Sequence, residues 1–214
     1  MRSGKALPST RAWALTLAVL ALLALWLGML VFGAGNADRA LLAALYGGHR
    51  PVVADAARLI TTLGDGRLVT ILSIGGGLIL IQRRHPRRAA ALVAGTLLGR
   101  ALVEFQKYEI GRLRPDANPH LVVVHNLSYP SGHSANATLV YLTLALMLVD
   151  DPRRRVPWIA AAMLIASLVG VSRVVLGVHW PSDVAGGWAF GIMWSMMVLW
   201  MAHRLEPIER RTNG

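Results

Sequence analysis

The sequence predicts an all-α integral membrane protein in which six transmembrane helices form one bundle. Of the 214 residues, 55% are hydrophobic and 15% are charged, and the mean hydropathy is +0.50. The chain shows neither the alternating pattern of a β-barrel nor an internal repeat, so helices are the predicted spanning structure. A soluble basic domain does not carry this much apolar sequence, so the net charge of +11 does not indicate nucleic-acid binding. Because the sequence contains no cysteine, a disulfide framework and thiolate chemistry are excluded.

Six runs without Asp, Glu, Lys or Arg predict the spans. The first, from Ala12 to Ala37, exceeds the roughly 7–15 apolar residues of a cleaved signal peptide and predicts a retained anchor. Several other runs are shorter than the roughly 20 residues that cross a hydrocarbon core, so the second and third spans are extended past Arg67 and Arg100. The chain then forms a single membrane domain with spans at roughly 12–34, 64–82, 88–106, 134–150, 156–173 and 182–203.

The segment 38–67, between the first two spans, carries moderate amphipathic spacing. It predicts a short helix along the outer surface of the bundle. Two interpretations stay open for this helix: it packs against the spans, or it forms one side of a lipid entrance.

The distribution of positive charge predicts that both termini lie in the cytoplasm. With that orientation, 13 of the 22 lysine and arginine residues fall on the cytoplasmic side, as the positive-inside rule requires. The stretches QRRHPRR and DDPRRRVP are then cytoplasmic turns that contact anionic lipids.

Three polar stretches emerge together on the opposite face: KYEIGRLRP, PSGH and SRVVLGVHWPSD. Each has a structural interpretation by itself, since PSGH could simply start a helix and His179 and Asp183 could form a surface pair. Their convergence instead favours an anion site with acid–base or nucleophilic capacity. The polar residues that this surface collects are Lys107, Arg112, Arg114, Ser131, His133, Arg173, His179 and Asp183.

The combined pattern resembles the signature of the type 2 phosphatidic acid phosphatase superfamily, a family of lipid phosphate phosphatases. It reads Lys107-x6-Arg114-Pro115, then Pro130-Ser131-Gly132-His133, then Ser172-Arg173-x5-His179-x3-Asp183. Every fixed position is met in order, and the six-span layout is similar to the membrane branch of the family over nearly the whole chain. Soluble phosphatases and vanadium-dependent haloperoxidases share related residues, but six spans disfavour both. A transporter or lipid-binding protein would use the cations only to hold an anion, whereas two histidines with a placed aspartate favour an enzyme.

The resemblance implies a role for each signature position. His179 is expected to be the nucleophile that takes the phosphoryl group, with Asp183 on its other ring nitrogen. His133 is expected to protonate the leaving oxygen and then to activate water. The implied phosphate ligands are Lys107, Arg114, Ser131, Gly132 and Arg173.

The family also implies which partners to expect. These are a lipid phosphate substrate and membrane lipids, with no metal, cofactor, nucleic acid or obligatory protein partner. The expected location is the cell (inner) membrane, multi-pass, with the active site facing the periplasm or exterior. Undecaprenyl diphosphate, phosphatidylglycerol phosphate, phosphatidic acid and a lipid A phosphate all stay open as substrates, because pockets for acyl chains carry no short motif.

One prediction does not come from the signature. Arg100, Glu104 and Lys107 are spaced i, i+4, i+7, so they share a helix face, with Arg100 about 10 Å from Lys107 along the axis. Ionisable residues at such depth are costly unless they are paired or face water. We therefore expect Glu104 to hold Lys107 toward the phosphate and to neutralise Arg100, or else to form a purely structural ion pair. Arg112 is a further cation beside the site that the signature does not require, so its role stays open.

Overall fold

A computed structural model describes residues 10–124 and 127–205. These residues form eight α-helices and contain no β-strand. Some basic residues that entered the orientation argument, those before Thr10 and after Leu205, lie outside this part of the chain. The helices are α1 (Thr10–Phe32), α2 (Asn36–Leu45), α3 (Pro51–Thr61), α4 (Gly66–Gln82), α5 (Pro86–Ile110), α6 (Gly132–Leu148), α7 (Pro152–Val175) and α8 (Pro181–Leu205).

Each of the six predicted spans corresponds to one long helix, but not every one of these helices could cross a membrane alone. In the part of the chain that the structure describes, α1, α5, α7 and α8 are long and apolar enough to do so. A fifth span arises only if α3 and α4 count as one span, bent by 42° at the break between them. The prediction of six spans is therefore confirmed only as a bundle with four or five candidate spans.

Helix α6, which corresponds to the fourth predicted span, is not among these candidate spans and lies at the centre of the bundle. It has 17 residues, most of them buried, and it contacts α4, α5, α7 and α8. Because α6 meets protein on these sides, lipid thickness does not dictate its length as it does for a helix at the rim. An apolar run in the sequence does not distinguish these two environments.

The segment after the first span contains two short helices instead of the predicted single one. α2 contacts α7 and α8, and α3 contacts α7. Each has a buried face, which includes Leu42 of α2 and Ala54, Ala57 and Thr61 of α3. Both short helices are therefore packed against the bundle, as the first of the two open interpretations proposed.

Asp38 joins α2 to the beginning of α8. Its carboxylate accepts the N–H of Ala34 at 2.6 Å, the N–H of Ser182 at 2.9 Å and the hydroxyl of Ser182. Amides in the first turn of a helix have no acceptor within that helix, so a buried carboxylate at this point satisfies one of them. Asp38 thus fixes the start of the helix that carries Asp183.

Replacement of Asp38 by alanine is predicted to destabilise the protein by about 2 kcal/mol or more, because three hydrogen bonds to a charged acceptor are lost. The melting temperature of the purified protein in detergent measures this effect. Asp55→Ala is the matched control, since Asp55 is an exposed aspartate of α3 paired with Arg58. Equal melting temperatures for the two variants would contradict the role of Asp38.

Candidate active site

The three polar stretches converge on a cavity of about 470 Å³. It lies where the C-terminal ends of α5 and α7 meet the N-terminal ends of α4 and α6. Its lining residues are Thr61, Asp65, Gly66, Arg100, Glu104, Lys107, Arg114, Val122, Val123, Val124, Gly132, His133, Asn136, Arg173 and His179. Six of the eight predicted catalytic and phosphate-binding residues are among them, whereas Ser131 and Asp183 are fully buried behind the wall.

The turn at the end of α5 places the cations of KYEIGRLRP in different positions relative to the cavity. Lys107 lies in the last turn, and the helix ends at Gly111, whose φ of +70° is left-handed and whose N–H donates to the Lys107 carbonyl at 3.0 Å. Glycine adopts this conformation without the steric cost that other residues meet. After the turn, Arg114 lines the cavity, whereas Arg112 does not.

Lys107 is buried and held by Glu104. Its Nζ donates to Glu104 Oε1 at 2.9 Å, and the Glu104 side chain is about half exposed. The same Nζ lies 3.0 Å from where a Cβ on Gly132 would stand, so glycine there lets the ammonium approach the start of α6. Arg100, which was expected to share Glu104, reaches across to α4 and donates to the Thr70 hydroxyl.

Two guanidinium groups complete the cationic wall. Arg114 Nη1 donates to the Val178 carbonyl at 2.5 Å, and Arg173 Nη1 donates to the Thr61 hydroxyl at 2.9 Å. These hydrogen bonds are to neutral groups, so they position the guanidinium groups without cancelling their charge. Burial lowers the pKa of Arg114 from its ordinary value, which reflects the cost of holding this charge away from water.

His179 is buried between Arg114 and Asp183. Its Nδ1 lies 3.3 Å from Asp183 Oδ2, and its Nε2 lies 3.1 Å from Arg114 Nη1. Because a guanidinium can only donate, Nε2 must be the acceptor, so the ring proton lies on Nδ1. Burial, reinforced by the neighbouring cations, holds the pKa of His179 well below its usual range. The imidazole is therefore neutral at neutral pH, the form that can act as a nucleophile.

Asp183 has no exposed surface and is the acceptor of several hydrogen bonds. Oδ2 accepts the Trp180 N–H at 2.8 Å and the Ser128 hydroxyl, and Oδ1 accepts from Arg112 Nη1 at 2.9 Å. The bond to Trp180, three residues earlier, matches the returning bond of a capping box at the start of α8. Ser128 was missed by sequence reasoning, since it stands outside the signature and no spacing marks it.

Arg112 lies in the seam between α1 and α8. Its Nη2 donates to the carbonyls of Met29 at 2.8 Å and Leu30 at 2.5 Å, in the last turn of α1. Its guanidinium carbon lies 4.4 Å from the centroid of the Tyr129 ring. A cation is favourable at the C-terminal end of a helix, so Arg112 binds α1 and Asp183 at once. The structure thus places it behind Asp183, outside the cavity.

The PSGH stretch begins α6 and contributes unequally to the cavity. Gly132 and His133 line it, but the Ser131 hydroxyl accepts from Ser134 Oγ at 3.0 Å, and the Ser131 N–H donates to the Asp183 carbonyl at 2.9 Å. Ser131 therefore joins α6 to α8, a position that differs from the phosphate contact expected of it.

The arrangement can bind a tetrahedral anion and act on it. Lys107, Arg114 and Arg173 supply positive charge, His179 supplies a lone pair, and His133 supplies a second titratable group on the same wall. Within residues 10–124 and 127–205, no group of three or more His, Cys, Asp or Glu side chains is arranged to hold a metal ion.

Comparisons with known proteins identify a matching family and several similar proteins. The sequence of residues 88–207 matches the family model of the PAP2 superfamily. Phosphatidylglycerophosphatase B of Bacillus subtilis (strain 168) is 35% identical over 185 residues, which cover 82% of this chain and 88% of that protein. Undecaprenyl-diphosphatase of Sulfolobus acidocaldarius is 36% identical over 138 residues, which cover 62% and 64%. The crystal structure of a transmembrane PAP2 type phosphatidylglycerolphosphate phosphatase from Bacillus subtilis superposes with a TM-score of 0.78 at 29% identity, covering 89% of this chain and 98% of that one.

Replacement of Arg112 by methionine is predicted to lower kcat for phosphate-ester hydrolysis about tenfold or more, because Asp183 loses a charged partner and no longer holds His179 in place. KM should change less than about threefold, since Arg112 does not line the cavity. Arg112→Lys keeps the charge and should retain more activity than Arg112→Met. Steady-state kinetics on folded, monodisperse fractions checks this, and an unchanged kcat in Arg112→Met would contradict it.

Proposed function

We propose that this chain, which belongs to the PAP2 superfamily, hydrolyses a lipid phosphate or diphosphate on the extracytoplasmic face of the cell membrane. The reaction proceeds through a phosphohistidine intermediate and needs no metal ion. The observation that carries this proposal is the His179 imidazole, whose Nδ1 faces Asp183 while its Nε2 faces the cationic wall of the cavity. An anion-binding protein or transporter has no use for a neutral imidazole oriented in this way.

In the first step, His179 Nε2 attacks the phosphorus atom, and the bond between phosphorus and the lipid oxygen breaks. His133 donates a proton to the departing oxygen, so the lipid leaves as an alcohol, or as a monophosphate if the substrate is a diphosphate. Asp183 stabilises the positive charge that develops on His179. Lys107, Arg114 and Arg173 neutralise the charge on the equatorial oxygens in the transition state.

In the second step, His133 takes a proton from water as the water oxygen attacks phosphorus. The bond between nitrogen and phosphorus breaks, inorganic phosphate forms, and His179 is restored. The net reaction consumes one water molecule and leaves each protein group in its starting protonation state. Its chemistry therefore requires only groups that line the cavity or lie directly behind it.

Two features support the extracytoplasmic position of the site. The basic turn that contains Arg83 and Arg87 and the one that contains Arg153 lie at the ends of helices remote from the cavity. The positive-inside rule assigns such turns to the cytoplasm, which leaves the cavity on the other side. A cavity there meets the phosphorylated headgroups of the outer leaflet.

A labelling experiment tests the chemical step. Wild-type protein mixed with a substrate labelled in its terminal phosphate and quenched rapidly should carry covalent label in the presence of a chelator, whereas His179→Ala should carry none. His133→Ala should still accumulate label from a substrate with a good leaving group, because it loses proton transfer but keeps the nucleophile. Label in a folded His179→Ala variant would remove His179 from this role.

Cysteine accessibility tests the orientation in a chain that has no cysteine of its own. Ala117→Cys lies on the exposed surface of the loop between α5 and α6, and Gln82→Cys is exposed at the end of α4 remote from the cavity. An impermeant thiol reagent should label the first variant in intact cells and the second only after the cells are permeabilised. The reverse pattern would overturn the proposed face of the active site.

A further inference from the structure

The active-site cavity continues along α5 beyond the catalytic residues. A neighbouring cavity of about 300 Å³ is lined by Leu97, Arg100, Ala101, Glu104 and Asn136. Three of these residues, Arg100, Glu104 and Asn136, also line the catalytic cavity, so the two spaces adjoin. None of the three belongs to the signature, and the reaction described above does not use them.

Arg100 presents a cation to this extension. It lies near the middle of α5, about 10 Å from Lys107 along the helix axis. Its guanidinium donates to the Thr70 hydroxyl on α4 and occupies space that Gly66 leaves, since a Cβ there would stand 2.5 Å from Nη2. A charge at such a position in an apolar helix is costly unless it is paired or faces a polar space.

Two polar atoms at the extension lack partners. Arg100 Nε and Asn136 Oδ1 are both buried, and neither has a hydrogen-bond partner among the described residues. Asn136 is three residues after His133 on α6, so both side chains lie on one face of that helix. Buried polar groups are normally satisfied, and the exceptions need a reason. An anion between the two residues supplies an acceptor for Arg100 Nε, and rotation of the Asn136 amide brings its Nδ2 donor to the same anion in place of Oδ1.

We propose that Arg100 and Asn136 form a second anion subsite, which binds an additional phosphoryl group between the scissile phosphate and the apolar part of the lipid. This inference rests on the proposed function and narrows its substrate to lipids that carry two phosphoryl groups. A guanidinium and an amide both donate to phosphoryl oxygens, and the guanidinium adds charge. Glu104, the carboxylate in the extension, is bonded to Lys107 and does not cancel the cationic excess of the combined cavity.

The position of the subsite sets the order of the groups. The signature residues hold the terminal phosphate, which His179 attacks, and Arg100 lies farther along α5, toward the apolar middle of the helix. A second phosphoryl group on the lipid side of the scissile one occurs in two chemical forms, a diphosphate and a headgroup with a separate phosphodiester. Phosphatidic acid, with a single phosphate, cannot occupy both subsites.

Substrate discrimination by an Arg100→Gln variant tests the proposal. Phosphate release is measured from phosphatidylglycerol phosphate, undecaprenyl diphosphate and phosphatidic acid in the same detergent micelles. Arg100→Gln should lower kcat/KM about tenfold or more for at least one lipid with two phosphoryl groups, mainly through KM, and less than about twofold for phosphatidic acid. Arg67→Gln, an exposed arginine on α4, is the matched control and should leave all three values unchanged.

A second variant keeps the test decisive if Arg100→Gln does not fold. Asn136→Asp conserves volume but places a negative charge in the subsite, so it should lower kcat/KM more for the same lipids than for phosphatidic acid. A loss confined to phosphatidylglycerol phosphate or to undecaprenyl diphosphate supports the subsite and identifies which chemical form it binds.

The outcomes that would contradict the subsite differ from those that would contradict the phosphatase function. An equal loss for all three lipids, or wild-type protein that prefers phosphatidic acid, would overturn the subsite and leave the phosphatase function intact. Wild-type protein that releases phosphate from none of the lipids would overturn the proposed function and the subsite with it.

Discussion

A buried carboxylate is the constraint on which the rest of the structure depends. Asp183 has no exposed surface, so its charge must be balanced by hydrogen bonds from inside the protein. Its partners come from the loop before α6, from the turn after α5 and from the start of α8, and the most strongly charged is Arg112. Arg112 in turn binds the end of α1, and Ser182, beside Asp183, is held by Asp38 of α2. Helices far apart in the sequence are therefore positioned by the requirements of one side chain.

Much of the site could be predicted from the sequence because its chemistry depends on residue type and local spacing. Because His179 and Asp183 are spaced i, i+4, an imidazole and a carboxylate come together across one turn, and the structure shows that contact at 3.3 Å. The pairing of Glu104 with Lys107 follows from helical spacing in the same way. The helices themselves follow from uncharged runs, since hydrocarbon excludes charge over the whole of such a segment.

The remaining features depend on contacts between distant parts of the chain. Thr61 holds Arg173 from 112 residues away, and Asp38 holds Ser182 from 144 residues away, so no local pattern reveals either. The direction of the Ser131 hydroxyl is set by Ser134 and by the approach of α8, which spacing alone does not encode. For the same reason the apolar composition of α6 did not show that it lies inside the bundle, because burial against protein and against lipid select the same residues.

The cationic wall of the cavity also affects the stability of the folded protein and the release of anions from it. Lys107, Arg114 and Arg173 face Asp65 and Glu104 across one space, so positive charge exceeds negative and the cations repel one another. Any anion that binds only the folded chain adds to the stability of that chain in proportion to the logarithm of its concentration over its dissociation constant. Anion binding and folding are thereby linked, and the protein with a bound anion has the higher free energy of unfolding. On the proposed function, inorganic phosphate is the product and would satisfy the same charges as the substrate, so the cations that bind the headgroup would also slow the release of phosphate.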